Sequence, residues 1–196
     1  WVCVVGTIGI LASMPGQTMG VSVFTDPLIE ATGLSRLALS NAYLIGTLAS
    51  GFVIPMGGVL LDRLGARLLA MAACFGLAAT LLFLSRVDQV IVWLGAELSL
   101  SSTGVLAGTV LTLAFACLRF SGQGLLTMSS RAMVSKWFER RRGLVSGIMG
   151  AFISFGFSLA PVLLLAWIAS AGWRGAWVGM AACVGIGMAG ISYLFF

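Results

Sequence analysis

Charged positions along the chain fall in clusters and leave long apolar stretches between them. Charge-free runs cover residues 1–25, 37–61, 68–85, 98–118, 143–173 and 175–196. Each has at least 18 residues, the length a helix needs to cross about 30 Å of hydrocarbon. The pattern predicts six membrane spans, at about 1–24, 39–61, 68–85, 105–127, 144–168 and 175–196. The expected fold class is an all-α polytopic membrane protein with six transmembrane helices.

Polar and helix-breaking residues mark individual spans. Span one contains "SMPGQTMG", where Pro15 and Gly16 are expected to bend or loosen the helix beside Ser13, Gln17 and Thr18. Span two carries Asn41, Tyr43, Thr47 and Ser50, and Pro55 near its end predicts a kink. Span three is almost bare of polar groups and is expected to face lipid or support its neighbours. The stretch "RVDQVIVWLGAELSLSSTG" has only eight charge-free residues between Asp88 and Glu97, too short to span. It is read as an outer loop with an interfacial piece, Trp93 lying near headgroup depth. Spans four, five and six carry small residues at helical spacing: Gly104, Gly108, Thr112 and Ala116; Gly143, Gly147, Gly150, Ser154 and Ser158; Gly175, Gly179, Cys183 and Gly187. Such rows let helices pack closely, for packing alone or for sliding in a transport cycle.

Composition agrees. The 196 residues are 60% hydrophobic and 9% charged, with mean hydropathy +1.09, against about 25% charged in soluble domains. Cys3, Cys74, Cys117 and Cys183 are scattered without a CxxC pair, so no metal or redox site is expected. Histidine is absent, which removes Ser–His dyads, His-based metal sites and His proton relays. No enzyme activity and no cofactor are expected. The net charge of +5 does not point to nucleic acid, because the basic residues sit between spans and set orientation. Arg63 and Arg67 lie between spans two and three; Arg131, Lys136, Arg140, Arg141 and Arg142 lie between four and five. The positive-inside rule puts both bridges, and the N-terminus, in the cytoplasm. The expected location is the cell membrane, the inner one in a bacterium. The chain begins with Trp1 and ends with "ISYLFF" inside an apolar run, and is read as a fragment.

One charge stands apart. Arg119 is the only charged residue from Leu98 to Ser130. An arginine at mid-helix costs about 2.5–3.5 kcal/mol on insertion scales; near a helix end it can snorkel at less cost. Two readings stand: a cavity-facing cation for an anionic substrate or a carboxylate, or a snorkelling arginine about two turns from the cytoplasmic end of span four. The glycines of "RFSGQG" favour the first. No acidic residue lies within a span, so a titrating mid-membrane carboxylate is not in this chain. The dense run "SKWFERRRG" is a cytoplasmic topogenic loop whose cations also suit anionic headgroups or another domain's carboxylates.

The bridge "GGVLLDRLGAR" resembles the loop signature of the major facilitator superfamily, G-x-L-A-D-R-x-G-R-K. Gly58, Leu60, Asp62, Arg63, Gly65 and Arg67 match; Leu61 and Ala66 depart. "RFSGQG" is similar to that family's fourth-helix motif R-x-x-x-G, with Arg119 and Gly124 or Gly122 in place. "GIMGAFISFGFSLAP" is a loose version of the fifth-helix pattern, and "SKWFERRRGLVSGIMGAF" is similar to a stretch of monocarboxylate and oxalate/formate-type transporters.

The resemblance implies that residues 1–196 are the amino-terminal six-helix bundle of a twelve-helix transporter. It implies alternating access around a mid-membrane site, with a small organic anion as substrate. The expected polar lining is Gln17, Thr18, Tyr43, Thr47, Arg119, Gln123 and Ser154; only Arg119 comes from a family motif. Gly58, Asp62, Arg63, Gly65 and Arg67 would form a conformational latch, with Asp62 meeting the start of a helix in the other bundle. The implied partners are the lipid bilayer, the small-molecule substrate and the carboxy-terminal half. Two alternatives remain at this point: a drug/proton antiporter of the same fold, and a scaffold or receptor-like protein that transports nothing.

Overall fold

A computed structural model describes residues 1–97, 103–138 and 140–196. Its described residues are helical almost throughout. In chain order these are α1 (Val2–Ala12), a 3-10 turn (Met14–Gly16), α2 (Thr18–Ser22), α3 (Thr25–Thr32), α4 (Arg36–Leu84), α5 (Val87–Glu97) and α6 (Thr103–Arg119). A π-helical segment (Phe120–Leu126), α7 (Thr127–Trp137), α8 (Arg142–Ala182), a second π segment (Cys183–Met188) and α9 (Ala189–Phe195) complete it. Three continuous helices, Arg36–Leu84, Gly104–Trp137 and Arg142–Phe195, are long and apolar enough to cross a membrane.

Two of those three are interrupted. Within α4 the dihedrals leave the helix at Gly65, with φ 78° and ψ 167°, and within α8 at Gly172, with φ 71° and ψ 164°. A side chain resists positive φ, and glycine does not. The break at Gly65 falls in the charged bridge, between the expected spans two and three. The chain keeps helical dihedrals at Pro55 and Pro161, so the kink expected at Pro55 is not a break in the helix. The expected first span is divided by the 3-10 turn at Met14–Gly16 and by Gln17, whose φ −93° and ψ 157° are extended. Pro15 at the start of that turn has no N–H to offer a helix ladder.

Two expectations about extent change. The described part of the outer stretch is a helix, α5, with Val87 and Ile91 buried, because its apolar residues recur at helical spacing. Residues 98–102 lie outside the described residues. Span four, expected to end near residue 127, continues as one helix to Trp137. Ser129, Ser130, Met133 and Val134 are buried there, so packing holds the extension despite its polar residues.

The core gathers around the second half of α4. Leu69, Cys74, Leu77, Leu81 and Leu84 are fully buried there, with Leu111, Phe115 and Leu118 of α6. The polar-poor third span thus supports its neighbours with one face, while Leu68, Phe75 and Leu82 on the other are exposed. Phe24 lies against Trp177 with ring centroids 4.0 Å apart. A smaller cluster of Val2, Val5, Ile10, Met133, Val134 and Met149 joins α1, α7 and α8. At the opposite end of the first segment, Asp26 pairs with Arg36, and Asp88 pairs with Arg174.

Close backbone approach occurs where the broken first segment crosses the π segment. A Cβ on Gly16 would stand 2.7 Å from the Leu118 carbonyl oxygen and 2.9 Å from the Gly122 Cα. A Cβ on Gly122 would stand 2.9 Å from the Gly16 Cα. By contrast, Gly104, Gly108, Gly143, Gly147, Gly150 and Gly187 have nothing within 4 Å of that position, so these glycines pack against nothing in the described chain. Gly16→Ala and Gly122→Ala should each lower stability by about 1–3 kcal/mol through overpacking. Because they disturb one contact, their effects should not add. Thermal unfolding of the full-length protein in detergent checks both; unchanged midpoints would show that the two backbones have room to spare.

Candidate functional site

Arg119 is the sixteenth residue of the 34-residue helix Gly104–Trp137. At 1.5 Å per residue it lies about 22 Å from one end and about 27 Å from the other. Those distances are beyond the reach of one side chain, and the residue is only 9% exposed. The snorkelling reading is therefore replaced by an inward-facing, buried cation in the middle of its helix.

Neutral oxygens hold it. Arg119 Nη1 donates to Tyr43 Oη at 3.0 Å, to Thr18 Oγ1 at 3.2 Å and, more weakly, to the Gly16 carbonyl at 3.5 Å. Tyr43 Oη donates to Thr18 Oγ1 at 3.0 Å. The guanidinium also lies 5.5 Å from the Tyr43 ring centroid, within cation–π range. Phe115, one turn before Arg119, meets the Tyr43 ring edge-on at 5.4 Å. Among the described residues no carboxylate pairs with Arg119, and its buried Nε has no hydrogen-bond partner.

The broken helix makes this possible. The Gly20 amide bonds to the Gln17 carbonyl and not to that of Gly16. The Gly16 carbonyl is thereby left out of a helical ladder that would otherwise consume it. Interrupting the helix frees an oxygen for the cation. The π segment directly after Arg119 faces this interruption, and π segments often accompany functional sites.

A second polar group fixes the break. Ser13 is fully buried and donates to the Ile10 carbonyl at 2.6 Å. Its Oγ accepts from Gln17 Nε2 at 3.1 Å and from Thr127 Oγ1 at 3.0 Å. Gln17 is thus tied to the break itself.

The structure brings Arg119, Thr18 and Tyr43 into direct contact and ties Gln17 next to them. Thr47 lies one turn from Tyr43, its Oγ1 buried without a partner. Gln123 and Ser154 are exposed, and no hydrogen bond joins them to the group; the Ser154 carbonyl accepts from Ser158. Sequence reasoning passed over Thr127 and Phe115. Phe115 precedes Arg119 by four positions and Thr127 follows it by eight, a helical spacing that places them near its face. In the bridge, Asp62, Arg63 and Arg67 are exposed and Gly58 and Gly65 are half-buried. Among the described residues Asp62 forms no ion pair with Arg63 or Arg67, its sequence neighbours.

Comparison with known proteins adds a family and relatives. The family model described as Major Facilitator Superfamily matches residues 5–196. Over 165 residues the chain is 29% identical to a riboflavin transporter, RibJ, of Trypanosoma brucei brucei (strain 927/4 GUTat10.1), an overlap covering 83% of this chain and 26% of the relative. It is 27% identical over 163 residues to RibJ of Trypanosoma cruzi (strain CL Brener), covering 83% and 30%. An oxalate:formate antiporter of Oxalobacter formigenes is 23% identical over 165 residues, covering 84% and 34%. The chain thus spans about a quarter to a third of the length of these relatives. No solved structure matches it.

The Ser13 group makes an ordered prediction. Ser13→Ala strands the Gln17 amide, leaves Thr127 with only its longer bond to the Gly122 carbonyl and should cost about 1–3 kcal/mol, whereas Thr127→Val removes one donor and should cost about 1 kcal/mol or less. Thermal unfolding of the two full-length variants gives the order; equal losses would mean Ser13 is not the centre of the group.

Proposed function

The chain belongs to the Major Facilitator Superfamily, and from that premise we propose that it forms one six-helix half of a secondary active transporter of a small organic anion. The interruptions at Gly65 and Gly172 turn the three long apolar helices into five segments, and the first segment, though divided at residues 13–17, makes a sixth, which supports a count of six crossings. The greater length of the relatives supports a second bundle, and two bundles of this kind rock about a central site by alternating access. The N-terminus and the basic bridges face the cytoplasm of the cell.

One observation carries the anion reading. Arg119 is buried at mid-helix with a full charge, and its partners are two hydroxyls and a carbonyl. An uncompensated buried charge is costly. A substrate carboxylate supplies the missing charge during the cycle. The printed name of the Oxalobacter relative, an oxalate:formate antiporter, agrees with this chemistry. The riboflavin transporters among the relatives favour a second reading, a larger neutral heterocycle. A lipophilic organic cation suits an unpaired guanidinium least.

In the bridge, Asp62 lies at the end of an apolar helix where the dipole disfavours an anion, and Arg63 and Arg67 do not pair with it. A partner on the second bundle then completes the latch that Gly58, Asp62, Arg63, Gly65 and Arg67 build.

Two outcomes are expected for the full-length protein in proteoliposomes. Arg119→Gln should reduce carboxylate uptake by about a hundredfold or more, with normal insertion, because a charged hydrogen-bonded partner contributes about 3 kcal/mol. Arg119→Lys, a point charge without the planar fork, should recover part of it. Carboxylate uptake by Arg119→Gln at the wild-type rate would refute the anion role. Asp62→Asn should leave insertion intact and slow turnover several-fold, read as a lower maximal rate at unchanged KM; wild-type turnover would remove the latch.

A further inference from the structure

The guanidinium of Arg119 is not the outermost layer of its own site. Thr18 and Tyr43, the residues that accept from it, also line a cleft of about 170 Å³. Thr18, Ser22, Thr25, Ser40 and Tyr43 supply hydroxyls to that cleft and Phe115 an aromatic wall, and no charged side chain lines it. It extends from the level of Arg119 toward α3 and the start of α4, away from Trp1.

The direction of the hydrogen bonds decides what the cleft presents. Thr18 Oγ1 accepts from both Arg119 Nη1 and Tyr43 Oη. With two donors already at its oxygen, the Thr18 hydroxyl has its own proton left to give, and nothing in the described chain accepts it. Thr25 and Ser40 also have no hydrogen-bond partner there. Tyr43 Oη accepts a hydrogen bond from the cation and donates one to Thr18 Oγ1. The positive charge is thus relayed through oriented hydroxyls, which face the cleft as donors. A cation placed there would meet donors backed by a guanidinium; an oxyanion would meet partners.

Size narrows the class. An apolar cavity of about 150 Å³ holds a benzene-sized molecule, on the order of six non-hydrogen atoms, whereas pockets for drug-sized ligands begin at about 300 Å³. The part of the cleft that this chain encloses, about 170 Å³, belongs with the smaller class and matches a carboxylate group, with the rest of a ligand extending out of its open side.

We infer that the hydroxyl-lined cleft in front of Thr18 and Tyr43 is the seat of the substrate's carboxylate, and that the Thr18 hydroxyl donates to it directly. This rests on the anion reading above and goes further, because it makes Thr18, with Ser40, a specificity-determining donor in front of Arg119.

The test uses the full-length transporter in proteoliposomes, with labelled formate, oxalate and riboflavin as probes. Formate and oxalate should be taken up and riboflavin should not. Thr18→Val keeps the shape but loses the donor together with the acceptor shared by Arg119 and Tyr43; it should raise KM for formate at least about tenfold, and Ser40→Ala, which leaves the Arg119 contacts intact, separates the cleft from the support of the cation. Thr18→Ser should restore KM. Ser40→Ala, at an exposed position that cannot upset folding, should raise KM for oxalate a few-fold. If Thr18→Val and Ser40→Ala keep wild-type KM values while Arg119→Gln abolishes carboxylate uptake, the cleft is not the seat and the anion reading survives alone. Uptake of riboflavin without uptake of either carboxylate overturns both.

Discussion

A single guanidinium, buried at the middle of a long apolar helix and bound by neutral oxygens, sets the conditions that the surrounding structure has to meet. An unsolvated cation needs acceptors, and helices in lipid have few to spare because the ladder uses their carbonyls. The first segment supplies one by breaking. Pro15 and the extended Gln17 interrupt the ladder, the Gly16 carbonyl comes free, and Arg119 takes it. Two hydroxyls from different segments, Thr18 and Tyr43, supply the rest. The glycines accompany this arrangement: the backbones at residues 16 and 122 come so close that a Cβ on either would stand 2.9 Å from the other's Cα. Ser13, satisfied three times over, locks the break in place.

Much of this architecture is written in simple patterns. Charge spacing separates the apolar segments, and the glycines of the 57–65 bridge coincide with a real interruption at positive φ. The oddity of Arg119 is visible from its isolation, and Thr18 and Tyr43 from polarity within apolar runs. Other features depend on information that a linear pattern lacks. The far end of span four was invisible because serines and an arginine look like a loop until Ser129, Ser130, Met133 and Val134 are seen to be buried. The helix at Val87–Glu97 was obscured by its flanking charges. Ser154 and Gln123 share the composition of the Arg119 partners but stand exposed outside that hydrogen-bonded group: which side of a helix faces a neighbour depends on partners far away in sequence. Thr127 and Phe115 were missed for the converse reason, being ordinary residues on the same helix face as an unusual one.

The exposed faces carry information too. Phe52, Phe152, Phe155 and Ile186 are largely uncovered, and a Cβ added at Gly143, Gly147 or Gly150 would meet nothing within 4 Å among the described residues. In a soluble protein such surfaces would mark an error or an interface. In an integral membrane protein they are covered by lipid or by further helices. The row of small residues suits a neighbour that comes close, whereas the aromatic positions suit a lipid boundary or a bulky helix face.

The choice of neutral partners for the cation has a kinetic consequence. A fixed aspartate beside Arg119 would form a buried ion pair, and separating such a pair costs about 3–5 kcal/mol. Each neutral hydrogen bond contributes only about 0.5–1.5 kcal/mol. A site held by hydroxyls is therefore assembled without its charge being cancelled. On the proposed anion reading, an arriving carboxylate would compete with weak partners rather than with a resident carboxylate. The same weakness limits how tightly the empty site is held, which is why the support comes from elsewhere: from Ser13 and its two donors, from the contact of Gly16 with Gly122, and from Phe115 against the Tyr43 ring. Rigidity lies in the backbone around the charge, and exchangeability in the oxygens that touch it. The proposed transport cycle, which binds and releases at one place, asks for this division of labour.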